Sequence, residues 1–441
     1  MTGPVPFLDR VRETAAPETI RGWQWARLAR GLDALWAGNA FWRRRLEAAG
    51  LRDPRDLASW DDFARLPRLA KADLAADQAA APPFGTNRTY PLERYLRVFQ
   101  TSGTTGPPIR WLDTEESWEW WARCWACVFR AAGLGPGDRL FFPFSFGLFV
   151  GFWAGFEGAR ALGALAIPGG GQDSALRLHA MRELGATALV CTPSYALHLA
   201  DVARAQGLDP CALPVRVTVH AGEPGAGIAA VRARLEALWG ARAYDHAGMT
   251  EVGAYAFECV AQAGLHVNEL EFVAEVLDPD SGRPVAPGEV GELTLTNLGR
   301  WGSPVLRYRS GDRVRLAAAP CACGRTFARL EGGILGRVDD MLTVRGINVF
   351  PSALEGIVRR FATVSEFQIE VFRRGALDEL RLLLELDGSG AGAAAAQTLE
   401  HVAEAVRRDL GIRVEVAAVP ARTLPRHELK ARRVVRRAES S

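Results

Sequence analysis

The sequence lacks an excess of either charge. Its 53 lysine and arginine residues nearly balance 51 aspartate and glutamate residues, so the formal net charge is only +2. A chain so close to neutral has no overall field that would attract nucleic acid or an anionic membrane surface. We therefore expect neither nucleic acid nor a membrane among its partners, and any anion site must be local.

The sequence also lacks an apolar run long enough to span a membrane. Its most apolar stretch, residues 141–156, carries Pro143, Ser145 and three glycines, and it is shorter than the ~18–20 residues that a spanning helix needs. Residues 1–6 do not show the basic start and apolar core of a secretory signal. These features predict a cytoplasmic protein, in which the apolar stretch forms buried core or the wall of a pocket.

A disulfide framework is a third absence. The seven cysteines are odd in number and scattered along 441 residues, which is typical of a protein from a reducing compartment. Cys259, His266, Cys321 and Cys323 are nonetheless residue types that bind tetrahedral zinc, and they form two local pairs. Their spacing is looser than that of a zinc ribbon, so structural zinc and ordinary buried thiols are both open explanations.

The length of the chain predicts two or three domains. After amphipathic helix in the first fifty residues, short apolar runs alternate with helical patterns, which predicts a mostly parallel sheet with crossover helices. The segments concerned are residues 117–133, 188–191, 195–206, 215–220 and 228–239, with Ser117 as the expected N-cap of the first. Residues 273–316 are rich in β-branched residues and Gly/Pro turns and predict a small antiparallel subdomain.

A charged, glycine-led connector, residues 336–340, is expected to separate two domains. Beyond it the pattern predicts a small α+β module of ordinary domain size. We therefore expect a large α/β domain over residues 1–336, a connector over 337–340 and a small α+β domain over 341–441. The predicted elements of the small domain are residues 351–361, 367–372, 380–386, 398–410 and 413–419.

Residues 101–106 read Thr-Ser-Gly-Thr-Thr-Gly, so every residue carries a hydroxyl or is a glycine. Such a loop can wrap phosphate, because glycine lets backbone N–H groups approach a ligand and the hydroxyls add donors. A Walker loop would need Gly-Lys-Ser/Thr at its end, but Pro107 and Pro108 follow Gly106, which excludes a P-loop NTPase. Taken alone, the run is equally typical of a flexible linker.

The loop is the first of several motifs that occur in a fixed order. The second, Ala221-Gly222-Glu223-Pro224, follows an apolar strand, and open α/β sheets bind ligands at the carboxyl ends of their strands. The remaining motifs are DHAGMTE at residues 245–251, YRSGD at 308–312 and LPRHELK at 424–430. Together they resemble the adenylate-forming superfamily of acyl-CoA synthetases, luciferases and peptide-synthetase adenylation domains. Within it, residues 146–149, 192–195 and 345–351 are most similar to phenylacetate-CoA ligases.

The resemblance covers nearly the whole chain and implies a two-step reaction. A carboxylate attacks the α-phosphate of ATP to give an acyl-adenylate and pyrophosphate, and the thiol of coenzyme A then displaces AMP. Because the first step brings an anion against a polyanion, it requires a metal ion and a cationic side chain. ATP, Mg²⁺ and coenzyme A are thus implied. In the family the small domain turns between the steps about a hinge, here Asp339 and Asp340, and Gly346 would line the pantetheine tunnel.

The resemblance also assigns roles to single residues. Lys430 would bridge the substrate carboxylate and a phosphate, Thr250 would contact the α-phosphate, and Glu251 would bind Mg²⁺. Asp312 would accept the ribose hydroxyls, and Asp245 would pair with the adenine amino group. The other residues assigned to ATP are Thr101, Ser102, Gly103, Thr104, Thr105, Gly106, Gly222, Glu223, Pro224 and Arg337.

Some positions depart from the superfamily pattern. Ala247 stands where an aromatic residue commonly stacks on adenine, so ATP binding is weaker or another ring, such as Tyr244, replaces it. Pro107 and Leu429 replace a lysine and a glycine. The set Cys259, His266, Cys321 and Cys323 falls where some relatives of phenylacetate-CoA ligase hold structural zinc, which favours the zinc explanation.

The acyl pocket is expected beside the segment 144–149, whose phenylalanines predict an aromatic acid, phenylacetate- or benzoate-like. The residues assigned to it are Phe144, Ser145, Phe146, Gly147, Phe149, Ala221 and Gly248. One alternative keeps adenylation but transfers the acyl group to the phosphopantetheine of a carrier protein, or to another acceptor. A second is a non-catalytic nucleotide-binding scaffold. The oligomeric state is open, with a homodimer as one candidate.

Overall fold

The computed structural model describes residues 5–101, 108–344, 347–374, 377–387, 393–426, 431 and 433–437. Its helices are α1 (Arg10–Glu13), α2 (Pro17–Gly38), α3 (Ala40–Ala48), α4 (Trp60–Arg65), α5 (Lys71–Ala80), α6 (Glu115–Ala131), α7 (Gly151–Leu162), α8 (Ser174–Glu183), α9 (Pro193–Ala205), α10 (Ala229–Trp239), α11 (Pro351–Val358) and α12 (Ala393–Leu410).

Most of the strands lie in the first three quarters of the chain. They are β1 (Tyr95–Gln100), β2 (Arg110–Thr114), β3 (Arg139–Phe142), β4 (Leu165–Pro168), β5 (Ala188–Cys191), β6 (Val217–His220), β7 (Arg242–Met249), β8 (Gly253–Glu258), β9 (Leu265–Val267), β10 (Phe272–Leu277), β11 (Val290–Asn297), β12 (Tyr308–Arg315), β13 (Arg329–Leu330) and β14 (Gly336–Arg337). The C-terminal strands are β15 (Leu342–Val344), β16 (Ile347–Val349), β17 (Val364–Arg374), β18 (Leu377–Leu386), β19 (Glu415–Val419) and β20 (Val434–Arg436).

The central element is an eight-stranded sheet with the order β13-β9-β8-β7-β6-β5-β3-β4. The ladders from β4 through β3, β5 and β6 to β7 are parallel, whereas β7, β8, β9 and β13 pair antiparallel. The predicted parallel sheet is therefore only one half of a mixed sheet. The direction reverses after β7 because the chain returns within a few residues, between Met249 and Gly253, with no crossover helix.

The predicted α/β alternation is confirmed within a few residues at each element. The strand at residues 188–191 is β5, and α9 and α10 begin one or two residues from their predicted starts. The predicted cap of α6 is wrong, because the hydroxyl of Thr114, three residues earlier, accepts the hydrogen bond from the Ser117 N–H at 3.3 Å. Ser117 lies inside the first turn and donates its own hydroxyl to Asp113 at 3.0 Å.

The antiparallel subdomain is a four-stranded sheet of order β10-β11-β12-β14. The C-terminal unit has its own sheet, β19-β18-β17-β20, packed with α11 and α12 around a separate apolar core. Leu342 and Val344 belong to that core, whereas Gly336 and Arg337 pair with β12. A single turn of 3-10 helix, Val338–Asp340, lies between them. These features agree with the fold class expected from the sequence.

Apolar side chains cover both faces of the parallel half of the large sheet. In β3, Phe141 lies in one core and Phe142 in the other, since successive side chains of a strand point to opposite faces. Within the part of the chain that the structure describes, no helix combines the length and apolarity that crossing a bilayer requires.

Helices α6 and α7 pack closely at Gly158, which has no side chain to hold them apart. A Cβ built on Gly158 would lie 2.3 Å from the Cβ of Trp125, whereas a Cβ on Gly22, in α2, would meet nothing within 4 Å. The Gly158→Ala substitution should therefore lower the free energy of unfolding by about 1–3 kcal/mol through overpacking.

The matched control is Gly22→Ala, which should raise the free energy of unfolding by about 0.5–1 kcal/mol because alanine is the better helix former. Denaturant unfolding of both variants measures the difference. Similar stabilisation by both substitutions would contradict the close helix contact.

Candidate active site

The carboxyl ends of three parallel strands bring the candidate nucleotide residues together. Cys191, His220 and Asp245 are partners in register on β5, β6 and β7. The loop Ala221–Pro224 follows β6 directly, and Gly222 adopts a φ of +96°, which disfavours other residue types. The second and third motifs of the sequence therefore lie next to each other in space.

Asp245 lies in a narrow space lined by glycine. A Cβ on Gly227 would come within 2.6 Å of its Oδ2 atom, and one on Gly333 within 3.6 Å. Its backbone N–H donates to Glu258 at 3.1 Å, and Glu258 is paired with Arg232 at 2.6 Å. Burial, followed by the charge of Glu258, raises the pKa of Asp245 to about 7. The carboxyl group therefore titrates near neutrality.

A buried arginine holds the turn that carries Thr250 and Glu251. The Nη1 atom of Arg300 donates to the carbonyl of Thr250 at 2.6 Å, and Arg300 forms two hydrogen bonds of 2.7 Å with Asp113. Both side chains of this ion pair are completely buried. The guanidinium lies between Trp111 and Trp121, at 5.1 and 5.3 Å from their ring centroids, where each ring face favours a cation.

Glu251 faces two groups to which the sequence analysis assigned no role, Tyr308 of the YRSGD motif and Lys71. Its Oε1 atom accepts a hydrogen bond from the Tyr308 hydroxyl at 3.5 Å and lies 3.7 Å from Nζ of Lys71. Lys71 reaches this position because Leu69 is hydrogen-bonded through its backbone to the start of β12. Composition was the available signal, since Lys71 and Lys430 are the only lysines among 53 basic residues.

Asp312 is fixed by hydrogen bonds on β12. The hydroxyl of Tyr255 donates to its Oδ2 atom at 2.9 Å, and Nη1 of Arg337 donates to Oδ1 at 3.0 Å. Arg337 is the register partner of Asp312 on β14. Two residues assigned to ATP thus form one ion pair at the end of the subdomain.

Two hydrogen bonds join Thr101, at the start of the glycine/hydroxyl loop, to Ile109 beyond its end. The Thr101 N–H donates to the carbonyl of Ile109 at 2.9 Å, and the Thr101 hydroxyl accepts the Ile109 N–H at 3.0 Å. Asp340 ends the 3-10 turn between the two units. The assigned residues that lie outside the described part of the chain are Ser102, Gly103, Thr104, Thr105, Gly106, Gly346, Lys430 and the side chain of Asp339.

The segment assigned to the acyl pocket is a cluster of aromatic rings. Phe144 is buried and meets Phe146 edge to face at a centroid distance of 5.4 Å and Phe149 at 6.4 Å. Ser145 and Gly147 are exposed on the same segment. A Cβ on Gly248 would make tight contacts, at 3.1 Å from the Gly253 carbonyl and 3.2 Å from Nε2 of His246.

Tyr244 does not replace the aromatic residue missing at Ala247. It is 2 % exposed and belongs to the apolar core. Ala247 and Ala221 are also almost fully buried, at 8 % and 9 % exposure.

Cys259, His266, Cys321 and Cys323 lie together, although they come from distant parts of the chain. Their ligand atoms are all within 4.8 Å of one another, and all four residues are buried. Beside them Arg325 pairs with Glu13 at 2.7 Å, so the cluster lies where the N-terminal segment joins the sheet. Nδ1 of His266 faces the carbonyl of Phe327 at 3.4 Å, which leaves Nε2 toward the thiols.

Comparison with known proteins places this geometry in a family. A model described as AMP-binding enzyme matches residues 63–299, and one described as AMP-binding enzyme C-terminal domain matches residues 346–437. The chain belongs to the AMP-binding enzyme family. As an adenylate-forming enzyme of this family, it activates an acid with ATP as the acyl-adenylate and transfers the acyl group to coenzyme A.

Curated relatives match this AMP-binding enzyme over nearly its full length. The phenylacetate-coenzyme A ligase of Escherichia coli (strain K12) is 34% identical over 430 residues, which cover 96% of each chain. That of Thermus thermophilus is 33% identical over 435 residues, which cover 94% of this chain and 96% of the relative.

Solved structures of a 2-hydroxyisobutyryl-CoA ligase are also similar. The structure in the postadenylation state with R3-HIB-AMP is 33% identical, covers 98% of this chain and 92% of that chain, and has a TM-score of 0.92. The structure with 2-HIB-AMP and CoA in the thioesterification state has the same coverage but a TM-score of 0.72. The arrangement of the two units of this AMP-binding enzyme is therefore more similar to that in the first of these structures than to that in the second.

The raised pKa of Asp245 predicts a pH-dependent cost to stability. In the unfolded chain this carboxyl titrates at about 3.9. Its ionisation therefore destabilises the fold increasingly as the pH rises from there to about 7, and fully above that value. Asp245→Asn should raise the midpoint of thermal unfolding more at pH 8 than at pH 5. Asp280→Asn, at an exposed position, is the control. An equal rise in the unfolding midpoint of Asp245→Asn at both pH values would contradict the raised pKa of Asp245.

Proposed function

We propose that the protein converts an aromatic carboxylic acid, ATP and coenzyme A into an aryl-CoA thioester, AMP and pyrophosphate. The observation that carries this proposal is that Asp245 and Glu251, from one motif, and Asp312, from another, all hold their side chains at the carboxyl edge of the sheet or on the adjoining subdomain. An aromatic cluster follows β3 at that same edge. The binding sites for the nucleotide and for the acid would then lie next to each other.

Asp312 is suited to the ribose of ATP. Its carboxylate accepts hydrogen bonds from Tyr255 and Arg337, which hold it in one orientation, and a carboxylate is an acceptor for hydroxyl donors. Asp245 would pair with the adenine amino group, because the neighbouring Gly227 and Gly333 carry no side chain that would block a flat ring edge. The backbone of Gly222, Glu223 and Pro224 would flank the ring.

The first step must overcome repulsion between the acid and the triphosphate. A carboxylate oxygen forms a bond to the α-phosphorus while the bond from that phosphorus to the pyrophosphate oxygen breaks. Lys430 and Lys71 would supply compact positive charge to these anions, and Thr250 would donate its hydroxyl to the α-phosphate. Glu251 is a hard oxygen ligand that would hold Mg²⁺, and the ion would neutralise charge on the phosphates.

In the second step the thiol of coenzyme A bonds to the acyl carbon and AMP leaves. We infer that residues 1–336 form the adenylation domain and that residues 341–441 form a mobile domain carrying Lys430. The connector 337–340, with Asp339 and Asp340, would be the hinge, and Gly346 would line the tunnel for the thiol arm.

The aromatic cluster around Phe144 supports an aromatic acid, because ring faces and edges there can contact a substrate ring. A second candidate is a short branched hydroxy acid. It is supported by the similarity to 2-hydroxyisobutyryl-CoA ligase, which equals the similarity to phenylacetate-coenzyme A ligases in identity.

A pyrophosphate-release assay separates these candidates. With phenylacetate or benzoate as the acid, we expect the enzyme to release pyrophosphate from ATP in the presence of Mg²⁺. Coenzyme A should increase the turnover and yield aryl-CoA. The Lys430→Ala variant should lose adenylate formation while it still binds ATP. A response confined to aliphatic acids, among them 2-hydroxyisobutyrate, would refute the aryl assignment, and adenylation that coenzyme A does not accelerate would point to another acceptor.

We also propose that Cys259, His266, Cys321 and Cys323 hold a structural Zn²⁺. Three thiols and one imidazole are a usual zinc donor set. The Sγ atoms of Cys259 and Cys321 are 3.7 Å apart, close to the edge of about 3.8 Å that zinc–sulfur bonds of ~2.3 Å give in a tetrahedron. The ion would stabilise the joint between the sheet and the N-terminal segment.

Metal analysis of the purified protein tests the zinc proposal. About one equivalent of zinc is expected, and Cys321→Ser should lower both the zinc content and the midpoint of thermal unfolding. The isolated buried Cys191, changed to serine, is a control that should leave the zinc content unchanged. Less than about half an equivalent in the wild-type protein would count against the site.

A further inference from the structure

Glu223 connects the two structural units of the chain. Its Oε1 atom accepts a hydrogen bond from the Ser194 N–H at 2.8 Å, at the start of α9. Its Oε2 atom accepts one from the Ala431 N–H at 2.6 Å. Because both oxygens of one carboxylate are used, the nucleotide loop, the start of α9 and the C-terminal segment are held at a single point.

Ser194 takes part in a second contact between the units. Its hydroxyl accepts a hydrogen bond from Nη2 of Arg433 at 2.9 Å. Arg433 is itself fixed by ion pairs with Glu355 at 3.2 Å and Glu366 at 3.0 Å, both within the C-terminal unit. Ala431 is thus bonded to Glu223 and Arg433 to Ser194, and these two residues of the large unit are themselves hydrogen-bonded to each other.

A third contact lies elsewhere on the joint. Nη1 of Arg234, on α10, donates to the carbonyl of Val364, at the start of β17, at 2.7 Å. Arg234 also crosses between the units, but Val364 is far in sequence from Lys430. It therefore offers a variant that weakens the joint without touching the segment around the lysine.

We propose that Glu223 is a positioning residue for adenylation, which acts by holding the backbone next to Lys430 against the nucleotide loop. Ala431 directly follows Lys430 in the chain, so a hydrogen bond at the Ala431 N–H restricts where the preceding residue can lie. This inference rests on the role that the proposed function gives to Lys430. In the proposed function only the backbone of Glu223 flanks the adenine ring, so its side chain has this separate task.

The contact should matter in only one of the two half-reactions. The bond between Glu223 and Ala431 spans the two units, so it exists in the arrangement seen here and must break when the C-terminal unit turns. Removing it therefore slows the attack of the acid on ATP and leaves the reaction of the acyl-adenylate with coenzyme A unchanged.

The test measures the half-reactions separately in the full-length protein. Adenylation is followed as pyrophosphate release from ATP, Mg²⁺ and phenylacetate, with hydroxylamine to trap the acyl group. Thioester formation is followed as thiol consumption from synthetic phenylacetyl-adenylate and coenzyme A. We expect Glu223→Ala to lower kcat for adenylation by about 10- to 100-fold, as loss of a charged acceptor implies. The KM for ATP and the thioester rate should stay within about twofold of wild type, a range well below that loss.

Two variants keep the proposal falsifiable. Glu223→Gln retains one acceptor oxygen and should lie between Ala and wild type, and Arg234→Ala should not change the ratio of the two half-reaction rates. Equal loss in both half-reactions, or a loss confined to the KM for ATP, would overturn the positioning role. Thermal unfolding of each variant identifies a folding defect, and failure of the wild-type protein to release pyrophosphate would refute the proposed function instead.

Discussion

The buried ion pair between Arg300 and Asp113 is the interaction on which the candidate active site depends. It joins the end of β2, the start of α6 and the turn after β7, and it is surrounded by tryptophan rings. An unpaired charge in such a place would cost several kcal/mol, so the three segments cannot separate independently. The Thr250 carbonyl is bound to the same guanidinium. The backbone of the turn that carries the Thr250 and Glu251 side chains is therefore fixed by a hydrogen bond from a guanidinium that is itself held in place by Asp113.

The joint between the two units is built on a different principle. The contacts through Glu223, Ser194 and Arg234 are single hydrogen bonds. Each unit encloses its own apolar core. A polar contact can be replaced by hydrogen bonds to water at small net cost in free energy. Exposing an apolar face to water costs much more. A domain that must turn during a reaction cycle is well served by such a joint.

Much of the fold could be predicted from the sequence, because the signals were local. The strand at residues 188–191 and helices α9 and α10 follow from apolar periodicity and turn residues. The reversal after β7 could not be predicted, since the pairing of β7 with β8 depends on which strand lies next to it in space. For the same reason, only part of the candidate site could be predicted from the sequence. Asp245 and Asp312 belong to motifs, but Arg300 and Lys71 act through neighbours that are distant in sequence.

The near absence of lysine has a chemical consequence. The chain carries its positive charge almost entirely on guanidinium groups, which stay protonated and are poor nucleophiles at neutral pH. Reagents that acylate primary amines therefore have, apart from the chain's terminal amino group, only Lys71 and Lys430 as targets. In most proteins of this size, such labelling is spread over the surface. Here the covalent yield of an amine-directed reagent would report directly on the accessibility of these two lysines.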